Sequence, residues 1–115
     1  MTKEDKELLL KDLSARLLYG VIMTNKKLKD TYYPLDGNEW QQAYYDDDWD
    51  DVPYLRPMSS MTEEEKKYVY RNFSPTGQEL FSLPYVDWLN EHHFDYRGLI
   101  EKGLALEATT EMYNK

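Results

Sequence analysis

The sequence predicts an α+β fold: an N-terminal helix and a small antiparallel sheet of two or three short strands, packed against a C-terminal helical half. Three observations predict it. Leucines recur at helical spacing near the start, β-branched and aromatic residues mix with turn dipeptides between residues 21 and 45, and a helix-capping pattern opens the second half. With 115 residues the chain has the length of one domain, so residues 1–53 and 54–115 are expected as two parts of a single unit.

Thr2 followed by Lys3, Glu4 and Asp5 has the form of an N-cap with acids in the first turn, and Leu9, Leu10, Leu13 and Leu17 share one helical face. The first helix is therefore expected from about residue 3 to about residue 18, with Gly20 as its stop. Beyond it, Asn25-Lys26 and Asp36-Gly37 look like turn dipeptides between short strands, giving a meander that Pro34 and the Gln41-Gln42 pair weaken. Pro53 and Pro57 bracket Tyr54-Leu55-Arg56, which is expected to cross in extended form to the helical half. There, Ser60 with Glu63, or Thr62 with Glu65, forms a capping box for a second helix over about 61–72. A turn at Ser74-Pro75-Thr76-Gly77 separates it from a third helix over Leu83 to Glu91. Ser82 would cap that helix, and Tyr85, Trp88 and Leu89 would be buried. Gly98 and Gly103 break the remaining tail into short turns.

Charge and cysteine usage exclude several chemistries. Lys+Arg number 14 against 22 Asp+Glu, a formal charge of -8, which opposes an extended phosphate backbone or an anionic membrane. Lys26, Lys27 and Lys29 form the one short basic cluster, too little for a nucleic-acid stripe. Cysteine is absent, removing disulfides, thiolate nucleophiles and Cys-based metal sites. The apolar run in MTKEDKELLL is far shorter than a signal segment, and no window approaches the roughly 18 apolar residues of a membrane span, so a cytoplasmic, unprocessed protein is expected. Eleven tyrosines and three tryptophans supply the large side chains of a core.

The most unusual stretch is YYDDDWDD, residues 44–51, in which Asp46, Asp47, Asp48, Asp50 and Asp51 surround Trp49. Its bland interpretation is a solvated loop; its active one is an acidic and aromatic surface that binds Lys and Arg on another protein. A calcium loop does not fit. With Asp46 at the first position, Asp51 stands where glycine is required and Pro57 where the closing glutamate belongs.

His92 and His93, with Glu91 and Asp95 beside them, form the second candidate: a metal site or acid/base cluster of His92, His93 and Asp95. Neighbouring helical residues point about 100° apart, so the two imidazoles do not readily share one ion. The structural alternative is that one histidine caps the helix while the other packs. Arg97 is expected to pair with Asp95 or an upstream carboxylate and lock the chain turn. The aromatic run from Tyr85 to Ile100 is expected to be core. No serine sits in a nucleophile-elbow context and no Gly-rich phosphate loop occurs. Neither a cofactor nor a resident metal is expected.

The phrases KELLLKDLSARLLYGV (6–21), YLRPMSSMTEEEKK (54–67) and DWLNEHHFDYRGLIEKGLALEA (87–108) resemble a family of short proteins from Bacteroides-type gut bacteria and their phages and prophages. The resemblance covers somewhat under half of the chain and includes no catalytic motif. Leu18 stands where that family commonly has proline, and the insert at 22–53 is short and carries the aspartate run. It implies a cytoplasmic protein of a bacterium or its mobile elements. Together these features lead to the expectation of a small acidic, non-enzymatic protein-interaction module, one that blocks a basic surface of a host defence or nucleic-acid-handling protein. Its binding residues would be the five aspartates and Trp49.

Overall fold

A computed structural model describes residues 2–25, 32–46, 49–73, 83–109 and 111–113. The chain is α+β: among the described residues it forms four helices and a five-stranded sheet ordered β2-β1-β3-β4, with β5 also paired to β3.

Helix α1, Lys3–Ser14, begins as its sequence requires, with the Thr2 hydroxyl accepting the Asp5 N–H at 3.0 Å. Its apolar stripe buries Leu9, Leu10 and Leu13. The regular helix stops earlier than residue 18. From Ala15 to Tyr19 the chain tightens into i→i−3 hydrogen bonds, and Gly20, at φ 68°, turns it toward the sheet. This tightening accompanies the burial of Arg16 against Asp12, while Leu18, within the stretch expected to be helical, is left almost fully exposed.

Strands β1, Ile22–Asn25, and β2, Tyr32–Pro34, form an antiparallel pair with Met23 opposite Tyr33. Lys26, Lys27 and Lys29 lie outside the described residues. Here the expected meander ends, because residues 37–45 form a helix. Asp36 does not make a hairpin turn with Gly37; its carboxylate accepts the Glu39 N–H at 2.8 Å and caps helix α2, Gly37–Tyr45. Trp40 and Ala43 then face α1, with the Trp40 indole N–H donating to the Leu10 carbonyl at 2.9 Å.

The second departure is strand β3, Asp51–Pro57, which contains the expected connector Tyr54-Leu55-Arg56 and is the middle of the sheet. Its first half pairs antiparallel with β1, Met23 facing Pro53. Its second half pairs in parallel with β5, Leu106–Glu107, and with β4, Phe94–Asp95. The sheet is therefore mixed rather than purely antiparallel. Proline normally argues against a central strand because it lacks a donor; Pro53 is accommodated because the pairings with β4 and β5 begin only at Tyr54.

A 3₁₀ turn, Met58–Ser60, leads into helix α3, Glu63–Phe73. Its capping box is the Thr62/Glu65 one: the Glu65 N–H donates to the Thr62 hydroxyl at 3.1 Å and the Thr62 N–H to the Glu65 carboxylate at 2.9 Å. Helix α4, Leu83–Glu91, has the expected bounds and buries Tyr85, Trp88 and Leu89. Ser82 and the turn at 74–77 lie outside the described residues. The core forms two clusters. One joins α1, α2, β1 and β3 with Leu99, Leu104 and Ala105; the other joins α3 and α4 with Phe94.

Candidate functional site

The acidic stretch divides into parts with different surroundings. Asp46 ends α2 with an exposed side chain, and its carbonyl receives the Lys6 ammonium at 2.5 Å. Trp49 turns inward, only 9% exposed, and joins the core beside α1 and α2. Its ring is thus core rather than the surface aromatic expected for partner binding, because the indole has more to gain from apolar neighbours than from water. Asp50 and Asp51 are half-buried. One Asn25 side-chain amide donates to both, at 2.9 and 3.0 Å, and the Tyr33 hydroxyl donates to Asp51 at 2.5 Å. Burial first, and then the Asp51 carboxylate, push the Tyr33 phenol well above its ordinary value, which keeps it a neutral donor. These two aspartates clasp the loop to the hairpin. Asp47 and Asp48 lie outside the described residues.

An exposed aromatic pair lies on α2. Tyr44 and Tyr45 are 56% and 74% exposed; Tyr44 stacks on Trp40 with centroids 5.7 Å apart, and Tyr45 meets Tyr44 edge-on at 5.0 Å. They sit in a segment of singular charge. Between Lys29 and Arg56 there are eight carboxylates and no basic residue, whereas the rest of the chain holds fourteen of each sign. The whole formal charge of -8 thus resides in residues 30–55. The face was hidden in the sequence by the strand interpretation of 38–45; the Asp36 cap followed by Glu39 was the signal that could have shown it.

The histidines occupy a second region. His93 follows the end of α4 at φ 65°, the left-handed position that terminates helices and usually falls to glycine, and its buried ring stacks on Tyr113 at 3.7 Å. Tyr113 in turn accepts the Ile22 N–H at 2.8 Å and donates to the Tyr54 carbonyl at 2.7 Å, with burial pushing its phenol up to about 12. His92 lies against Trp88, centroids 4.4 Å apart, and its Nδ1 stands 4.0 Å from the Glu65 carboxylate. Glu65 is gripped bidentately by Arg56 at 2.8 and 2.6 Å. Burial by itself would raise the Glu65 carboxyl; the Arg56 guanidinium and the Thr62 N–H outweigh it and bring it down to about 2.

Asp95 does not complete this cluster. Its carboxylate accepts the Leu99 and Ile100 N–H groups at 2.9 and 3.0 Å, satisfying the next turn, so the trio of His92, His93 and Asp95 fails as a ligand set. Among the described residues, no group of three His, Asp or Glu side chains is placed to hold a metal ion. Arg97 reaches upstream instead, to Asp12 at 3.1 Å. Asp12 also takes both arms of the fully buried Arg16, at 2.7 and 3.1 Å, while Arg16 donates at 2.7 Å to the Phe94 carbonyl. The one cue to this buried pair in the sequence is the i,i+4 spacing of Asp12 and Arg16.

The chain matches no family model, no curated protein and no solved structure. No helix among the described residues is long and apolar enough to cross a membrane.

Proposed function

We propose that this protein is a non-enzymatic interaction module that presents the tyrosine and aspartate face at the end of α2 to a basic surface of another protein. The observation that carries this is the exposure of Tyr44 and Tyr45 beside Asp46, inside the segment that holds the entire net charge. Tyrosine provides broad contact area at low conformational cost, and the surrounding negative field steers a cationic partner into place. The binding residues therefore shift from the expected aspartates and Trp49 to Tyr44, Tyr45 and Asp46, with Asp50 and Asp51 contributing field rather than contact. The resemblance to proteins of Bacteroides-type bacteria and their phages supports a cytoplasmic mobile-element protein that covers a basic surface of a host defence or nucleic-acid-handling protein.

Affinity capture from such a host, with wild type and with the triple variant Tyr44→Ser/Tyr45→Ser/Asp46→Asn, tests this. A basic protein retained by wild type and lost by the variant supports it, provided retention weakens with added salt. Equal recovery of every protein by both forms refutes it.

A further inference from the structure

Exposed side chains usually hop between rotamers, but the tyrosine pair on α2 is tethered to the core. The Trp40 indole N–H is held by the Leu10 carbonyl at 2.9 Å, Tyr44 stacks on that indole with planes 22° apart, and Tyr45 stands nearly perpendicular to Tyr44, at 83°. The Lys6 ammonium on the Asp46 carbonyl fixes the end of the same helix. The three rings therefore run in a chain from half-buried Trp40 out to Tyr45, which is 74% exposed, and Tyr44 covers at most one face of the Tyr45 ring. A ligand meets an aromatic corner that folding has already ordered.

Rings of this kind stack on nucleobases, on apolar side chains and on cations. The eight carboxylates between residues 30 and 55 oppose a phosphate backbone and attract a cation. That field does not separate lysine from arginine. The rings do, because an ammonium is compact and strongly hydrated, whereas a guanidinium is flat, weakly hydrated and stacks on an aromatic face while its N–H edge still reaches carboxylates or water. The same contact recurs inside the fold. Arg16, Arg56 and Arg97 lie over the rings of Tyr96, Phe94 and Tyr96, at 5.3, 4.1 and 5.1 Å, so three of the chain's four arginines use it.

We infer that the corner formed by Tyr44 and Tyr45 is an arginine site, selecting a partner's guanidinium over a lysine ammonium; this rests on the α2 face being the partner-binding surface. Titrating the full chain at low ionic strength with acetyl-Gly-Arg-Gly-Arg-amide and acetyl-Gly-Lys-Gly-Lys-amide, equal in length and charge, tests it by proton NMR. The arginine δ protons should move upfield through ring currents, the Tyr44 and Tyr45 ring resonances should shift saturably with them, and the arginine peptide should bind about fivefold more tightly than the lysine peptide. Tyr44→Leu/Tyr45→Leu keeps apolar bulk and all the charge but removes the rings; it should erase the difference while leaving the lysine peptide's affinity nearly unchanged. Tyr70→Leu, which removes an exposed ring on α3, should leave the difference in place. Equal affinity for the two peptides overturns the inference without touching the proposed function, since a basic partner is then held by charge alone. No saturable shift with either peptide, an arginine preference that survives in Tyr44→Leu/Tyr45→Leu, or one that disappears in Tyr70→Leu also overturns it. Failure of the proposed function is seen separately, as equal recovery in the capture experiment.

Discussion

Substituting Asp12 by alanine tests whether the buried arginine pair organises the junction between α1 and the 94–97 segment. Arg16 is fully buried, and its two hydrogen bonds to Asp12 leave the Phe94 carbonyl as its only other acceptor among the described residues. Its Nη1 has no hydrogen-bond partner among the described residues, so the guanidinium has little to fall back on. Removing the carboxylate strands one fully buried cation and frees Arg97, which is partly exposed and rehydrates. Breaking a buried pair from one side costs about 3–5 kcal/mol, a large part of the roughly 5–15 kcal/mol that holds a domain folded. Urea unfolding followed by tryptophan fluorescence measures this. The midpoint should fall by that equivalent with an unchanged slope, whereas Arg97→Ala should cost about 1 kcal/mol or less. A loss below about 1 kcal/mol for Asp12→Ala contradicts the reasoning, since solvent or another group would then be compensating Arg16.

Glu65 makes stability depend on pH. Its folded value of about 2 lies below the ordinary 4.5, so its contribution is present above 4.5 and disappears as pH falls toward 2; melting temperatures across that interval should drop less steeply for Glu65→Gln than for wild type. Asp36→Ala removes the N-cap of α2 and should cost about 1 kcal/mol, with amide exchange quickening in residues 37–40 before the rest of the chain. Trp49→Ala should lower stability by about 3–5 kcal/mol in chemical denaturation, as a core cavity does; a cost under about 0.5 kcal/mol would return Trp49 to the surface.

The helices with a strong cap and a clear apolar stripe were legible in the sequence. Thr2 with its following acids and the Thr62/Glu65 box act locally, through contacts three residues apart, and the Tyr85, Trp88, Leu89 face shows its helical spacing in the sequence although it packs against α3. Helix α2 was not, because Asp36-Gly37 serves equally as a turn and as a cap, and the winner is decided by Trp40 reaching the Leu10 carbonyl thirty residues upstream. Strand β3 was obscured by its prolines. Their cost depends on where the partner strands begin, a matter of register that local patterning does not contain. The same limit applies to the site. The aspartate run is visible at a glance, yet only the fold separates the half-buried Asp50 and Asp51, bonded to Asn25 and Tyr33, from the exposed Tyr44, Tyr45 and Asp46. The adjacency of His92, His93 and Asp95 was misleading in the opposite sense, since a left-handed residue and a turn send the three side chains to different tasks.

Amide hydrogen exchange of the protein with and without its captured basic partner tests the central claim most directly. Protection centred on residues 37–46, with the α4 and β4 region unchanged, is the predicted result. Protection confined to residues 91–95 and 108–113, with α2 exchanging as before, would contradict the claim and move the partner to the region around the histidines.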